Sequence, residues 1–337
     1  MHVTRARAVS LAFFSAALFV ALGPRLAVRL ANATPEVSEP APTGTPLPVM
    51  PTSDTEPDTT EDEPKAHAKP KALGIARVPV PERDGMVLVP GGRFPMGTNF
   101  PKSPPNERPQ RVVAAAPFWI DKTEVTVAAY KACVEGKHCE RPRKSSAACT
   151  FDVGEGDLPV NCVRWQDAES FCRNAKKRLP SEVEWELSAR GPAGYVYPWG
   201  NRLPDCKLAN TLIRDNSGRG CTARPWRVGS VPSNASLYGV LDLPGNVEEW
   251  TADWYSEHLS DVAPRSGASH SLRGGGFQTS PSRSRSSTRD WGSAIEAGPN
   301  VGFRCARDAV VTAIAPPKNV VVPPRPKLAP KPAPSAP

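Results

Sequence analysis

The segment Tyr238–Tyr255 concentrates the groups in this chain that could do chemistry. Asp242, Glu248, Glu249 and Asp253 place four carboxylates within a dozen residues. Carboxylates that close repel one another unless cations or hydrogen-bond donors hold them apart. Gly239, Pro244 and Gly245 impose turns between them, and Trp250, Trp254 and Tyr255 need something large to pack against. Two arrangements meet these demands. One is a packed corner whose acids face water, the commoner outcome for such spacing. The other is an oxygen-rich cation site built into a structural loop.

Thiols are the second candidate chemistry. All eight cysteines fall between Cys133 and Cys305, and an even count in an exported chain argues for disulfides. Cys133 with Cys139 and Cys206 with Cys221 are candidate local loops. Zinc is the rival reading, but there is no CxxC pair and the neighbouring His138 stands alone. GxSxG, HExxH and Walker-type loops are absent. Arg273-Gly-Gly-Gly-Phe277 runs from a strand into a polar loop without opening a helix, which argues against phosphate binding. His138, His258 and His270 show no ligand spacing and are expected as isolated surface residues. In Ser282–Arg289, strand geometry would put Arg283 and Arg285 on one face and the serines on the other.

The elements that must position these groups occupy only part of the 337 residues, because the 40 prolines concentrate at the two ends. Residues 1–33 hold Arg5 and Arg7, an apolar run Val9–Leu22 and a small-x-small site at Ala31–Ala33. That pattern reads as a secretory signal, or as an uncleaved anchor given Arg25 and Arg29. Residues 34–83 are Pro- and Thr-rich, first acidic and then basic, and read as a disordered linker. Residues 309–337 form a Pro/Lys-rich tail of the same kind. Four of the cations behind the net charge of +8 precede the cleavage site and four lie in the tail, so the charge does not argue for nucleic acid. Membrane contact is expected only through the N-terminal segment.

Residues 84–308 remain as one globular domain. Met86–Gly97 reads as two short strands around a Pro-Gly-Gly turn, and Ala116–Asp121 as another. Thr126 can cap a helix presenting Tyr130, Cys133 and Val134. A second helix carries Trp165, Ala168, Cys172 and Ala175 on its inward face. Ser181-Glu-Val-Glu184 is a capping box that opens a third. Beyond Arg190 the pattern is irregular. The class is α+β with much coil, the kind of chain that disulfides or metals hold together.

Eight short motifs then occur in one order: Met86-Val-Leu-Val-Pro-Gly-Gly-x-Phe-x-Met-Gly97, Asp121-Lys-Thr-Glu-Val-Thr126, Pro159-Val-Asn-Cys-Val-x-Trp165, Lys177-Arg-Leu-Pro-Ser-Glu-Val-Glu-Trp-Glu186, Tyr197-Pro-Trp-Gly200, Gly245-Asn-Val-x-Glu-Trp250, Arg273-Gly-Gly275 and Gly302-Phe-Arg304. The series resembles the formylglycine-generating enzyme, or sulfatase-modifying factor, family. The resemblance implies a disulfide-stapled variant of the C-type lectin fold, low in regular structure and often calcium-bound. It turns the preference for the opening stretch toward calcium, held by Asp242, the carbonyls of Gly245 and Val247, and Glu249. A second site would use Asn210 and Thr211, with Asp215. It also implies a Cys172–Cys305 bridge and a Cys206–Cys221 bridge, leaving Cys133, Cys139, Cys149 and Cys162 to pair among themselves.

Family enzymes oxidise a substrate cysteine with a copper-binding cysteine pair after the Arg-Gly-Gly motif. Here residues 274–300 contain no cysteine, and Gly276 stands where the family usually has Ser. Soft Cu(I) needs thiolates, which Ser and Thr cannot imitate, so copper is not expected. The histidine cluster of the iron-dependent relatives is missing as well. The expectation is an exported, periplasmic or secreted module that binds a protein, peptide or anionic ligand. The ligand would sit in a groove at Arg283, Arg285, Arg289, Asn300 and Arg304, since arginine forks suit carboxylate or sulfate; the alternative is that Arg289 and Arg304 pair with acids of the core. An enzyme with a metal site not evident in the motifs, or a structural envelope component, are the alternatives.

Overall fold

The computed structural model describes residues 76–212, 221–259 and 264–309. The signal or anchor segment, most of the linker, nearly all of the tail and Asp215 lie outside the described residues.

The chain enters through β1 (Glu82–Arg83), β2 (Met86–Val89), β3 (Gly92–Met96), β4 (Arg111–Ala115) and β5 (Phe118–Asp121). Three helices follow, α1 (Val127–Glu135), α2 (Trp165–Asn174) and α3 (Glu182–Arg190). After a long irregular stretch come β6 (Glu248–Trp254), β7 (Ser269–Arg273), β8 (Arg289–Ser293), β9 (Val301–Gly302) and β10 (Ala306–Asp308). They form a sheet ordered β1-β2-β5-β10, the pair β3-β4, and a second sheet ordered β8-β7-β6-β9 in which only β6 and β9 run parallel. This is the expected α+β architecture with much coil.

The Pro-Gly-Gly turn sends the chain from one sheet to the β3–β4 pair. Gly91 has φ +72°, and a Cβ there would lie 2.5 Å from the Ala115 carbonyl oxygen, so only glycine lets the strands cross. Thr126 caps α1 by accepting the Ala129 N–H at 3.2 Å. Ser181 and Glu184 close their capping box in both directions, at 3.2 and 2.8 Å. Two apolar clusters result. One gathers Tyr130, Phe151, Val160, Trp250 and Phe303; the other gathers Val87, Phe94, Phe118, Ile120 and Trp185.

All eight cysteines pair, as Cys133–Cys139, Cys149–Cys162, Cys172–Cys305 and Cys206–Cys221. The Cys172–Cys305 bridge agrees with the expected staple and ties α2 to the residue preceding β10. Four disulfides suit a non-cytoplasmic compartment. Among the described residues, no helix is long and apolar enough to cross a membrane.

One boundary needs correction. The fold begins before residue 84: β1 pairs with β2, the Val78 N–H donates to the Leu237 carbonyl at 3.0 Å, and Val80 packs on the core. Their prolines and charges read as linker, and their partners, Leu237, Pro232 and Lys122, lie far along the chain.

The Cys172–Cys305 bridge spans 133 positions, and chain entropy assigns such a closure about 4 kcal/mol. Non-reducing peptide mapping should recover it. The double variant Cys172→Ala/Cys305→Ala should lose stability of that order in urea unfolding.

Candidate functional site

The second sheet sorts its charges by face. Glu249 lies opposite Arg273, which lies opposite Arg289; Trp250 lies opposite Leu272, which lies opposite Asp290. Side chains alternate along a strand, so Glu249, Arg273 and Arg289 form a rung on one face. Glu248, Trp250, Leu272 and Asp290 belong to the other. The charged rung is buried, and it forms two networks meeting at Trp185.

In the first network Glu249 takes both fork nitrogens of Arg304, Nε and Nη2, at 2.7 Å, and its Oε2 also accepts the Trp185 indole N–H at 3.0 Å. Arg304 gives its remaining hydrogens to the carbonyls of Leu241 and Asp121. In the second, Glu182 receives Arg289 at 2.7 and 2.9 Å, while Glu186 receives Arg273 at 2.5 Å and Arg190 at 2.7 Å. The Arg273 guanidinium lies 5.3 Å from the Trp185 ring centre, a cation–π contact.

The first network carries too much negative charge. Glu124, Asp242 and Glu249 are all buried against the single cation Arg304. Burial pushes all three carboxyls up; Asp242 raises Glu124 further, while Arg304 pulls each of them back. Glu124 Oε2 accepts no hydrogen bond, but a hydrogen bond from the Glu124 carboxyl to Asp242 helps to hold Asp242 down. Asp242 accepts from the Gly229 N–H at 2.5 Å and from Asn234 at 3.1 Å, and Asn246 donates to Glu124 at 2.9 Å. The acids therefore do not face water. Among the described residues no group of three or more His, Cys, Asp or Glu is placed to hold a metal ion, so a divalent cation here would have to draw on backbone carbonyls beside these carboxyls. The two oxygens of Glu249 serve Arg304 and Trp185. Asn210 and Thr211 abut this region: the Asn210 carbonyl accepts the Asn246 N–H at 2.8 Å, and the Thr211 hydroxyl is buried and unpartnered.

A cleft of about 530 Å³ opens beside the expected groove, with Lys102, Asn106, Ser282, Arg283, Asp290 and Trp291 among its walls. Arg283, Arg285 and Arg289 also lie along it, but Asn300 and Arg304 do not. Asn300 accepts the Gln278 N–H instead, and Arg304 is fully buried. Residues 282–288 are not a strand. Pro281–Arg283 is a 3-10 turn, because proline opens it and the Ser284 N–H closes on the Pro281 carbonyl. The arginines are mostly structural. Arg285 clasps the buried Glu107 at 2.7 and 2.8 Å, and Arg289 is spent on Glu182. Arg283, with 43% of its side chain exposed, pairs with Asp290 at the surface. His270 is likewise no surface residue: it lies between Trp165 and Trp254, ring centres 3.8 and 3.9 Å away, and burial holds its pKa down.

The sulfatase-modifying factor enzyme 1-like domain profile matches residues 73–309. The chain belongs to this family. It is 33% identical over 281 residues to a mouse (Mus musculus) protein named inactive C-alpha-formylglycine-generating enzyme 2, covering 70% of this chain and 88% of that one. It is 31% identical over 287 residues to the formylglycine-generating enzyme of Streptomyces coelicolor, covering 68% and 90%. The structure of PvdO from Pseudomonas aeruginosa superposes with a TM-score of 0.57 at 27% identity, over 66% of this chain and 94% of that one.

Within this sulfatase-modifying factor fold, sequence reasoning missed Glu107, Glu182 and Glu186, the acids that hold the arginines, and Glu124, which Asn246 holds. Glu124 was readable in part, since its neighbours Val125 and Val127 are core residues. Glu248 is also new. It is 5% exposed, and no hydrogen bond to its carboxyl is found among the described residues. Burial lifts its pKa from 4.5 to about 8, Asp290 adding and Arg283 subtracting. A carboxyl raised in the folded state holds a proton that the unfolded chain has released. Its contribution is complete below pH 4.5 and is lost as pH rises through about 8. Urea unfolding at pH 5 and pH 8 should therefore show a smaller loss of stability in Glu248→Gln than in the parent. Equal losses would place the proton elsewhere. Arg285→Ala should cost about 3 kcal/mol by stranding Glu107, whereas Arg283→Ala, at the surface, should leave the melting temperature nearly unchanged.

Proposed function

We propose that this chain is an exported binding or accessory module of the family that has lost copper and cysteine oxidase chemistry. The observation that carries the reading is its use of sulfur. All eight cysteines are consumed by four disulfides, and residues 274–300 supply none. A soft Cu(I) ion would find no thiolate pair there. Similarity to a mammalian protein named as inactive supports the same reading. In place of a reactive pair, the loop borders a polar cleft where the exposed Lys102, beside the half-exposed Arg283–Asp290 pair, suits an anionic group. The test is direct. Incubated with a sulfatase-type cysteine peptide and oxygen, with or without copper, the purified protein should leave the peptide thiol unconverted by mass spectrometry. Copper-stimulated conversion to the aldehyde would overturn the proposal.

Calcium belongs to the same reading as a structural ion. Asp242, Glu124 and the carbonyls of Gly245 and Val247 would hold it, with Glu249 shared between the ion and Arg304. Its chemistry there would be charge neutralisation alone. Support comes from three buried carboxyls gathered about one guanidinium; a proton shared between Glu124 and Asp242 is the competing way to hold them. Chelation should lower the melting temperature, because the ion binds only the folded loop, and Glu124→Gln should shrink the difference. A melting temperature indifferent to chelator and to added calcium would remove the ion from the account.

A further inference from the structure

The cleft beside β8 has a wall that the anion-binding reading does not use. Trp291 projects into it with 55% of its surface exposed. Its ring centre stands 6.3 Å from that of Tyr255, tilted by 37°. A tryptophan left this open, lining a cleft, offers a flat apolar face next to a polar rim. The rim mixes donors and acceptors. The Arg283–Asp290 pair stands at the surface, the hydroxyls of Ser280 and Ser282 lie 2.9 Å apart, and Lys102 is exposed with no ion-pair partner among the described residues.

β8 is an edge strand, so an extended peptide adding itself to the sheet is the obvious alternative occupant. The edge is largely taken. The outward carbonyl of Arg289 accepts from Asn106 Nδ2 at 3.4 Å, and the outward N–H of Trp291 donates to its neighbour's Asp290 carboxylate at 3.0 Å. The Ser293 carbonyl accepts the Glu296 N–H at 3.1 Å. A strand laid along β8 would lack the regular ladder that gives such complexes their affinity. Recognition here must run through side chains.

We infer that the Trp291 cleft binds an acidic saccharide: one sugar ring lies against the indole, its hydroxyls bridge the Arg283–Asp290 pair and the serine hydroxyls, and its carboxylate or sulfate meets Lys102. The inference rests on the anion-binding reading of this cleft and adds the class of ligand. A sugar ring has an apolar C–H face to cover the exposed indole and a perimeter of hydroxyls that both donate and accept, as this rim requires. The acid group answers the cations at the mouth.

Calorimetric titration of the full chain, parent and variants, with oligogalacturonate, its neutral reduced counterpart and poly-glutamate tests this. Saturable binding of oligogalacturonate is expected, weaker for the neutral sugar. Trp291→Ala should reduce it about tenfold, and Lys102→Ala should reduce it a few-fold, with a shallower salt dependence. Both side chains are exposed, so the melting temperature should stay put. Poly-glutamate bound through Lys102 but indifferent to Trp291→Ala would overturn the saccharide while leaving the anion-binding cleft intact. Binding of oligogalacturonate unaffected by Trp291→Ala would also overturn the saccharide inference. No binding of any of the three would remove both readings.

Discussion

The pairing of Glu249 with Arg304, closed by the Trp185 indole, is the interaction on which the rest of this fold depends. It joins β6, the segment between β9 and β10, and α3 at a point with no access to water. Two ions taken from water recover the desolvation cost only if geometry is good and their remaining hydrogens and lone pairs are used. Here Arg304 also satisfies two carbonyls, of Leu241 and Asp121, so the loop carrying the first and the strand carrying the second are fixed relative to β6. Loss of either ion would leave the other buried alone, the most damaging case for a pair of this kind. In a chain with this little regular structure, such polar pins do what long helices and broad sheets do elsewhere.

The same logic explains the arginines. A run of Ser and Arg looks like a solvated or ligand-facing tract, yet Arg285 and Arg289 each have a buried acid waiting for them in a distant segment. Partners 178 and 107 positions away cannot be seen in local spacing. By contrast, features set by near neighbours were legible: the Thr126 cap, the Ser181–Glu184 box, the Pro-Gly-Gly crossing and the short Cys133–Cys139 and Cys206–Cys221 loops. The resemblance supplied the distant Cys172–Cys305 staple. What remained hidden was the inward orientation of Glu182, Glu186 and Arg190 on α3, where charge on both faces removes the amphipathic signal. His270 was hidden for a related reason. Its seat between Trp165 and Trp254 needs α2, far earlier in the chain, as well as the preceding strand β6.

Glu249, Arg273 and Arg289 are successive positions across β6, β7 and β8. The acid-rich region and the wall of the cleft are therefore opposite ends of one rung. Trp185 separates them, accepting Arg273 on its ring and donating its N–H to Glu249. The described charges are unequal on the two sides. Three carboxyls gather about one guanidinium on the first, while Glu182, Glu186 and the adjoining Asp253 face three guanidinium groups on the second. The charges of the two sides act on one another through the sheet. A residue exchange that neutralised Glu249 would thus be felt by Arg273 and the cleft wall as well as by Arg304. The rung makes the rigidity of the cleft depend on groups that no ligand there could touch.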